Sequence, residues 1–314
     1  MKKKDSNKTS PVRITERDRE LLKKLAEYRL LSTEQIRYLL YPSMNRARKR
    51  VLQLFRHGIV ARYSRPIRLG EGSSQYLYRP SRNGMALLTG TSATNVRPPR
   101  AVTESQGEHT LRINDFRISL ELASRQCDDI ALTFWKPDHD VKLVVPVTIG
   151  HRLIRVPVIP DGFFGLRLQG KELFYMIEVD RGTAPLTRSR TKLEAYLNLW
   201  QSKSLLAELN IPTFRLLWIT SGQQRLQNLL KVVQGLTAKY TRTDIVFLTT
   251  QDQVKLEQPE TILGRVWQIV TKSEVLPASP FPTIPFERSR SHQVNHQCAN
   301  QKPELAKGEH GPGG

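Results

Sequence analysis

The sequence predicts a mixed α/β protein, on three observations. An N-terminal stretch shows helical apolar spacing three times in succession and ends in two short strand-like runs. Further on, short apolar strand runs alternate with helical ones. Two of those runs, flanking Gln169-Gly170, carry apolar residues on both faces, as a sheet covered on both sides by helices requires. Charge divides the chain in the same way. The 314 residues carry a net charge of +20; residues 1–100 hold 23 Lys/Arg against 7 Asp/Glu, and the rest hold 26 against 22. A basic part joined to a nearly balanced part points to a polyanion as partner of the first.

Several classes are set aside early. No apolar run approaches the ~20 residues of a membrane span. Met1-Lys2-Lys3-Lys4 is followed by polar residues, not by the apolar core of a signal peptide. Cys127 and Cys298 fit neither a disulfide framework nor a zinc spacing. The expectation is a cytoplasmic protein with no membrane partner.

Residues 1–12 read as a disordered basic lead. Thr15 with Asp18 forms a variant capping box, and Leu21, Leu22, Leu25 and Tyr28 make one helical face to about Arg29. Ser32-x-x-Gln35 opens a second helix with Ile36, Leu39 and Leu40 inward, stopped at Tyr41-Pro42. A third runs from Ser43 to His57 on Ala47, Val51, Leu54 and Phe55, with Gly58 as cap. Residues 59–63 and 75–78 read as strands around a loop at 65–74, and a short helix follows at 83–88. Three helices and a two-stranded wing make a winged helix-turn-helix over residues 13–90.

Its third helix is the expected reader of double-stranded DNA. Arg46, Lys49 and Arg50 share one face, with Asn45 and Arg48 beside them. Arg62, Arg65 and Arg68 belong to the wing, suited to backbone or minor-groove contacts. A solvated basic face on an ordinary three-helix domain is the plainer alternative.

Residues 91–106 read as a linker and 107–275 as an α/β domain. A helix spans Glu108–Arg125; strands follow at 131–135, 142–147 and 153–158. Then comes a hairpin whose Gln169-Gly170 turn sets the register: paired positions sum to 339, placing Asp161 opposite Glu178. Asp180 points to the same face, so three carboxylates converge. Two carboxylates ~5 Å apart repel by roughly 3 kcal/mol at an effective dielectric of ~20. A cation, basic neighbours or a shared proton must offset this. Helices at 188–206 and 223–240, strands at 214–220 and 245–249 and a short helix at 251–257 complete the domain. From 276 to 314 the Pro-, Ser-, Gln- and His-rich composition predicts a disordered tail, with His292, His296 and His310 too scattered for a metal site.

The order helix, strands, Pro160-Asp161-Gly162, Glu178-Val179-Asp180, helix, strand resembles the PD-(D/E)xK restriction-endonuclease-like fold. The chain as a whole resembles the replication-relaxation family of plasmids and integrative elements. The residues that carry this are Ile14–Asp18, Leu31–Ile36, His109 with Asn114-Asp115, Pro160–Gly162 and Glu178–Gly182. The resemblance implies a mobile-element protein acting in plasmid replication and DNA relaxation. Its partners would be double-stranded DNA and replication or mobilisation proteins, and homodimerisation stays open.

A working nuclease of that fold has Lys two residues after its Glu; this chain has Asp180. Lys192 on the next helix is the leading replacement, with Arg181 second and His109 a candidate helper base. Asp161, Glu178 and Asp180 would then hold Mg²⁺. Alternatively the acids pair with Arg181, Arg188 or Arg190 and bind no metal. Three functions follow: a DNA-binding accessory protein, a Mg²⁺-dependent nicking endonuclease, or a winged-helix transcriptional regulator.

Overall fold

The computed structural model describes residues 12–64, 76–95, 103–127, 129–202, 205–272 and 274–281. Nearly all of the expected lead, residues 96–102 of the expected linker, the loop expected to form a wing with Arg65 and Arg68, and the histidines of the expected tail lie outside them.

Helix α1 (Glu16–Tyr28) starts where sequence places it, because Thr15 and Asp18 cap each other reciprocally. Strand β1 (Leu31–Ser32), unforeseen in the sequence, leads into α2 (Thr33–Leu40), capped by the Ser32–Gln35 box. Then follow α3 (Met44–Arg56), β2 (Val60–Ser64), β3 (Tyr76–Pro80) and α4 (Arg82–Thr89). The three strands form one antiparallel sheet in the order β1-β3-β2. Leu21, Leu22, Leu25, Ile36, Ala47, Val51 and Leu54 are fully buried between the helices.

The long α5 (Glu104–Arg125) begins inside the stretch read as linker, with Thr103 and Gln106 closing another capping box. It is shared by both halves of the protein. Ile118 and Leu122 pack into the N-terminal core. Buried Asn114 donates to the carbonyls of Tyr28 and Leu30 at 3.2 and 2.6 Å, and Lys24 and Tyr28 both reach Glu121. On another side of α5, Phe116 meets Trp135, Phe164 and Trp267.

The strands that follow are β4 (Ile130–Pro137), β5 (Leu143–Ile149), β6 (Arg152–Val158), β7 (Gly162–Leu168) and β8 (Lys171–Asp180). After them come α6 (Leu186–Gln201), β9 (Arg215–Thr220), α7 (Gln223–Gln234), β10 (Val246–Thr250), β11 (Trp267–Val270) and β12 (Val275–Ala278). A seven-stranded sheet runs β12-β11-β10-β9-β8-β7-β4, with β8, β9 and β10 parallel and the other neighbours antiparallel. One face packs Phe163, Met176, Leu216 and Leu248 in a core with Leu193 and Tyr196 of α6 and Leu226 and Leu230 of α7. The other face meets α5 through an aromatic layer in which Trp135, Phe164 and Tyr175 stack in turn. Helices on both faces of a mixed sheet are what the two-sided apolar pattern required.

The hairpin register is the one the arithmetic set, Gly162 opposite Ile177 and Leu168 opposite Lys171. Gln169 and Gly170 both have positive φ, 47° and 77°, the primed turn that matches strand twist. Three expectations need correction. β5 and β6 pair only with each other, as a separate two-stranded sheet, because their buried residues Leu143, Val145, Val147 and Val158 join the core that α6 lines. The helices expected to reach 206 and 240 stop at Gln201 and Gln234, and 251–257 holds only a short 3₁₀ turn. The tail begins later than residue 276: Val275–Ala278 pairs with β11, and Phe281 is buried against Tyr175. Hydrogen bonding to a free sheet edge outweighs the polar composition of that segment.

Candidate functional site

Two charged regions were expected to carry function. On α3, the inward positions Ala47, Val51 and Leu54 leave Asn45, Arg46, Arg48 and Lys49 exposed. Neither Arg46, Arg48 nor Lys49 has a partner among the described residues. Arg50 departs from expectation. Its Nε donates to Asp18 Oδ1 at 2.7 Å, and its terminal nitrogens bond Asp18 Oδ2, Gln53 Oε1 and the Arg13 carbonyl. Asp18 is fully buried; burial pushes its carboxyl up, but the hydrogen bonds from Arg50 and Thr15 outweigh that and hold it below the usual range. Arg50 therefore clamps α3 to α1 and belongs to the fold. Arg62 lies between aromatic rings, 4.3 Å from the Phe55 centroid and 4.1 Å from that of Tyr76, which stiffens it at the root of the β2–β3 connection.

The second region lies at the end of β8. Asp161 sits just before β7, its backbone N–H bonded to the Ile177 carbonyl. The glycine after it is required by packing: a Cβ on Gly162 would fall 2.4 Å from the Trp135 ring. Asp161 Oδ2 accepts from the Val179 N–H at 2.7 Å, and Oδ1 lies 3.0 Å from His109 Nε2. Glu178 is buried; Lys192 Nζ is 2.5 Å from its Oε2, and the Tyr196 hydroxyl donates to Oε1. Asp180 leaves this cluster. Arg225 donates to its Oδ2 at 2.7 Å and also reaches the Ala184 carbonyl and Ser189.

The electrostatics follow from burial. Burial pushes the Glu178 carboxyl up to about 7; the Lys192 ammonium opposes this and the Asp161 charge adds to it. Burial would lower Lys192, but Glu178 and Asp161 outweigh it and hold the ammonium above its usual value. The hydrogen bond to Asp161 favours the imidazolium form and raises His109, outweighing burial, which opposes it. Its Nδ1 is buried with no partner among the described residues. In the imidazolium form that atom is a donor and cannot ligate a cation.

These residues do not fit a Mg²⁺ site. Each oxygen of Asp161 and Glu178 is already engaged by a donor of the chain, and Asp180 is turned to Arg225. No group of three or more His, Cys, Asp or Glu among the described residues is disposed to hold a metal. Two expectations did meet: Lys192 comes to Glu178, and His109 to Asp161. The convergence of three acids did not occur, and the basic partners are Lys192 and Arg225 in place of Arg181, Arg188 or Arg190. Arg181 instead bonds Ser105, and Arg190 bonds Glu194.

Sequence reasoning missed Arg225 and the role of Tyr196, which carried only a helical spacing as signal; it named Asp115 as a motif residue but not its role. Burial raises Asp115 to about 7, and it accepts from Gln35 at 2.7 Å, tying α5 to the cap of α2.

A family described as Replication-relaxation matches residues 22–210. Among curated proteins and among solved structures, nothing matches the chain. No helix among the described residues is long and apolar enough to cross a membrane.

Proposed function

The chain belongs to the replication-relaxation family, and from that premise we propose that it is a DNA-binding accessory protein of plasmid replication and relaxation. In this reading α1–α3 with β1–β3 act as a winged helix-turn-helix, and α3 is the helix that meets the duplex. The observation that carries it is the row Arg46, Arg48 and Lys49 on the exposed side of α3, with no partner among the described residues, in a chain of net charge +20. Free cations release counterions when they neutralise phosphates, which gives both affinity and its salt dependence. The sheet and its helices serve as a nuclease-like platform that binds DNA or a partner. Internal pairing of Asp161, Glu178 and Asp180 supports a platform over a cutting site.

The test is duplex binding by the full chain with Asn45, Arg46, Arg48 and Lys49 all replaced by Ala. Affinity should fall about a hundredfold at low salt, and the slope of log affinity on log salt should become shallower by about 3. Unchanged affinity would refute the reading. In a parallel arm, wild type and Asp161→Asn are incubated with supercoiled plasmid and Mg²⁺. Neither should nick it; nicking lost on Asp161→Asn would establish an endonuclease instead.

A further inference from the structure

Between the first turn of α1 and the exposed side of α3 lies a cavity of about 600 Å³. Arg17, Arg46 and Lys49 line it, and none of the three has an acidic partner among the described residues. The two acids that also line it are Glu16 and Asp18. Glu16 is almost wholly exposed and lies 3.6 Å from Arg19, while Asp18 is neutralised by Arg50. The cavity is therefore left with a surplus of positive charge.

Two further features point the same way. The cavity opens on the N-terminal turn of a thirteen-residue helix, where backbone N–H groups and the helix dipole favour an anion. Tyr41 lines it too, and is 9% exposed. The Tyr41 hydroxyl is buried and has no hydrogen-bond partner among the described residues, although Arg17 stands 5.8 Å from its ring centroid. A buried hydroxyl without a partner costs about 1–3 kcal/mol unless a bound group satisfies it. The charges around it are Asp18, Arg50, Arg17 and Glu20; Asp18 is bonded to Arg50, and Arg17, Arg46 and Lys49 of the lining then leave an anionic acceptor as the fitting group.

We propose that this cavity is a phosphate seat, and that it takes a backbone phosphate of the duplex lying along α3. The assignment rests on the DNA-binding reading above and adds a location to it. Arg17 and Lys49 flank the phosphate, and the Tyr41 hydroxyl donates to one of its oxygens. Such a contact carries no sequence information; it sets how deeply and at what angle α3 approaches the groove.

The experiment compares full-length Arg17→Ala, Tyr41→Phe and Arg48→Ala for binding a labelled mixed-sequence duplex of about 40 base pairs across a salt series. Arg48 is not a lining residue of the cavity and reports on DNA binding by α3 alone. Tyr41→Phe keeps the ring in the N-terminal core, and melting curves verify folding of each variant. Arg17→Ala should weaken binding about tenfold and make the salt slope shallower by about 1. Tyr41→Phe should weaken it several-fold with the slope unchanged, since no charge is removed.

If Arg48→Ala weakens binding while Arg17→Ala and Tyr41→Phe match wild type, the seat is refuted and DNA binding by α3 stands. If wild type binds no duplex at any salt, both fall together. A separate titration with a mononucleotide and with inorganic phosphate distinguishes a small-molecule site. Tight saturable binding of either, lost in Arg17→Ala without effect on the duplex, would overturn the backbone assignment; weak binding that competes with duplex supports it.

Discussion

Along α3 the cations Arg46, Arg48 and Lys49 stand exposed with no partner among the described residues, whereas at the end of β8 every acid is met by the chain itself. Both regions drew a functional reading from the sequence, the basic helix the stronger one. The difference lies in what surrounds each charge. A charge left in water costs little to keep and remains available to a ligand. A charge buried under a sheet must be matched during folding, and the group that matches it then competes with any ligand. Arg50 makes the contrast sharpest, because it shares a helix with these exposed cations yet behaves like the buried acids.

The largest effect should come from Arg225→Ala, which strands Asp180 with a side chain 9% exposed. Breaking such a pair costs about 3 kcal/mol, read as a lower denaturant midpoint, with duplex affinity of the folded protein unchanged. A loss of DNA binding at full stability would break the comparison. Next is Arg50→Ala against Arg48→Ala. The first should lose about 2 kcal/mol of stability; the second should stay within about 0.5 kcal/mol of wild type while losing affinity. The pH dependence sharpens the point. Asp18 is held below its usual value of 3.8, so its contribution is present above that pH and is lost as pH falls through the folded value. Arg50→Ala should flatten that acid loss.

Smaller and more pH-dependent is Lys192→Met. Glu178 titrates near 7 when folded and at its usual 4.5 when unfolded, so the native state binds more protons between those values. Stability from this group therefore falls as pH rises across the window. Removing Lys192 leaves the buried carboxyl without its cation, at a cost of about 1–2 kcal/mol at pH 8, since the lysine itself is one-third exposed. At pH 5 the carboxyl takes up a proton and the loss should shrink below what a melting series resolves. A loss equal at both pH values would mean that Glu178 keeps its charge throughout.

Much of the fold was legible because it depends on short-range rules. The boxes Thr15–Asp18 and Ser32–Gln35 start α1 and α2, and a two-residue turn with a glycine fixes every pair along β7 and β8. The joining of the two halves through α5 was not legible. Asn114 and Asp115 look like motif residues in the sequence, and in the structure they hold the N-terminal helices to α5. Strand β12 was hidden by the composition of its neighbours, and the isolation of β5 and β6 by apolar patterns that suit either sheet.

By itself, the sequence determined where helices begin, which residues alternate to one face of the hairpin, and that the positive charge gathers before residue 100. Each of these depends on neighbours a few positions apart. Only tertiary structure decided which charges are free. Asp18 and Arg50 are 32 positions apart, and Asp180 and Arg225 are 45. Charge pairing is a matter of distance in space and of burial, and neither is written in local spacing. Glu178 and Lys192 did meet, and the same rule makes that meeting an ion pair with its carboxylate buried and its lysine partly in water.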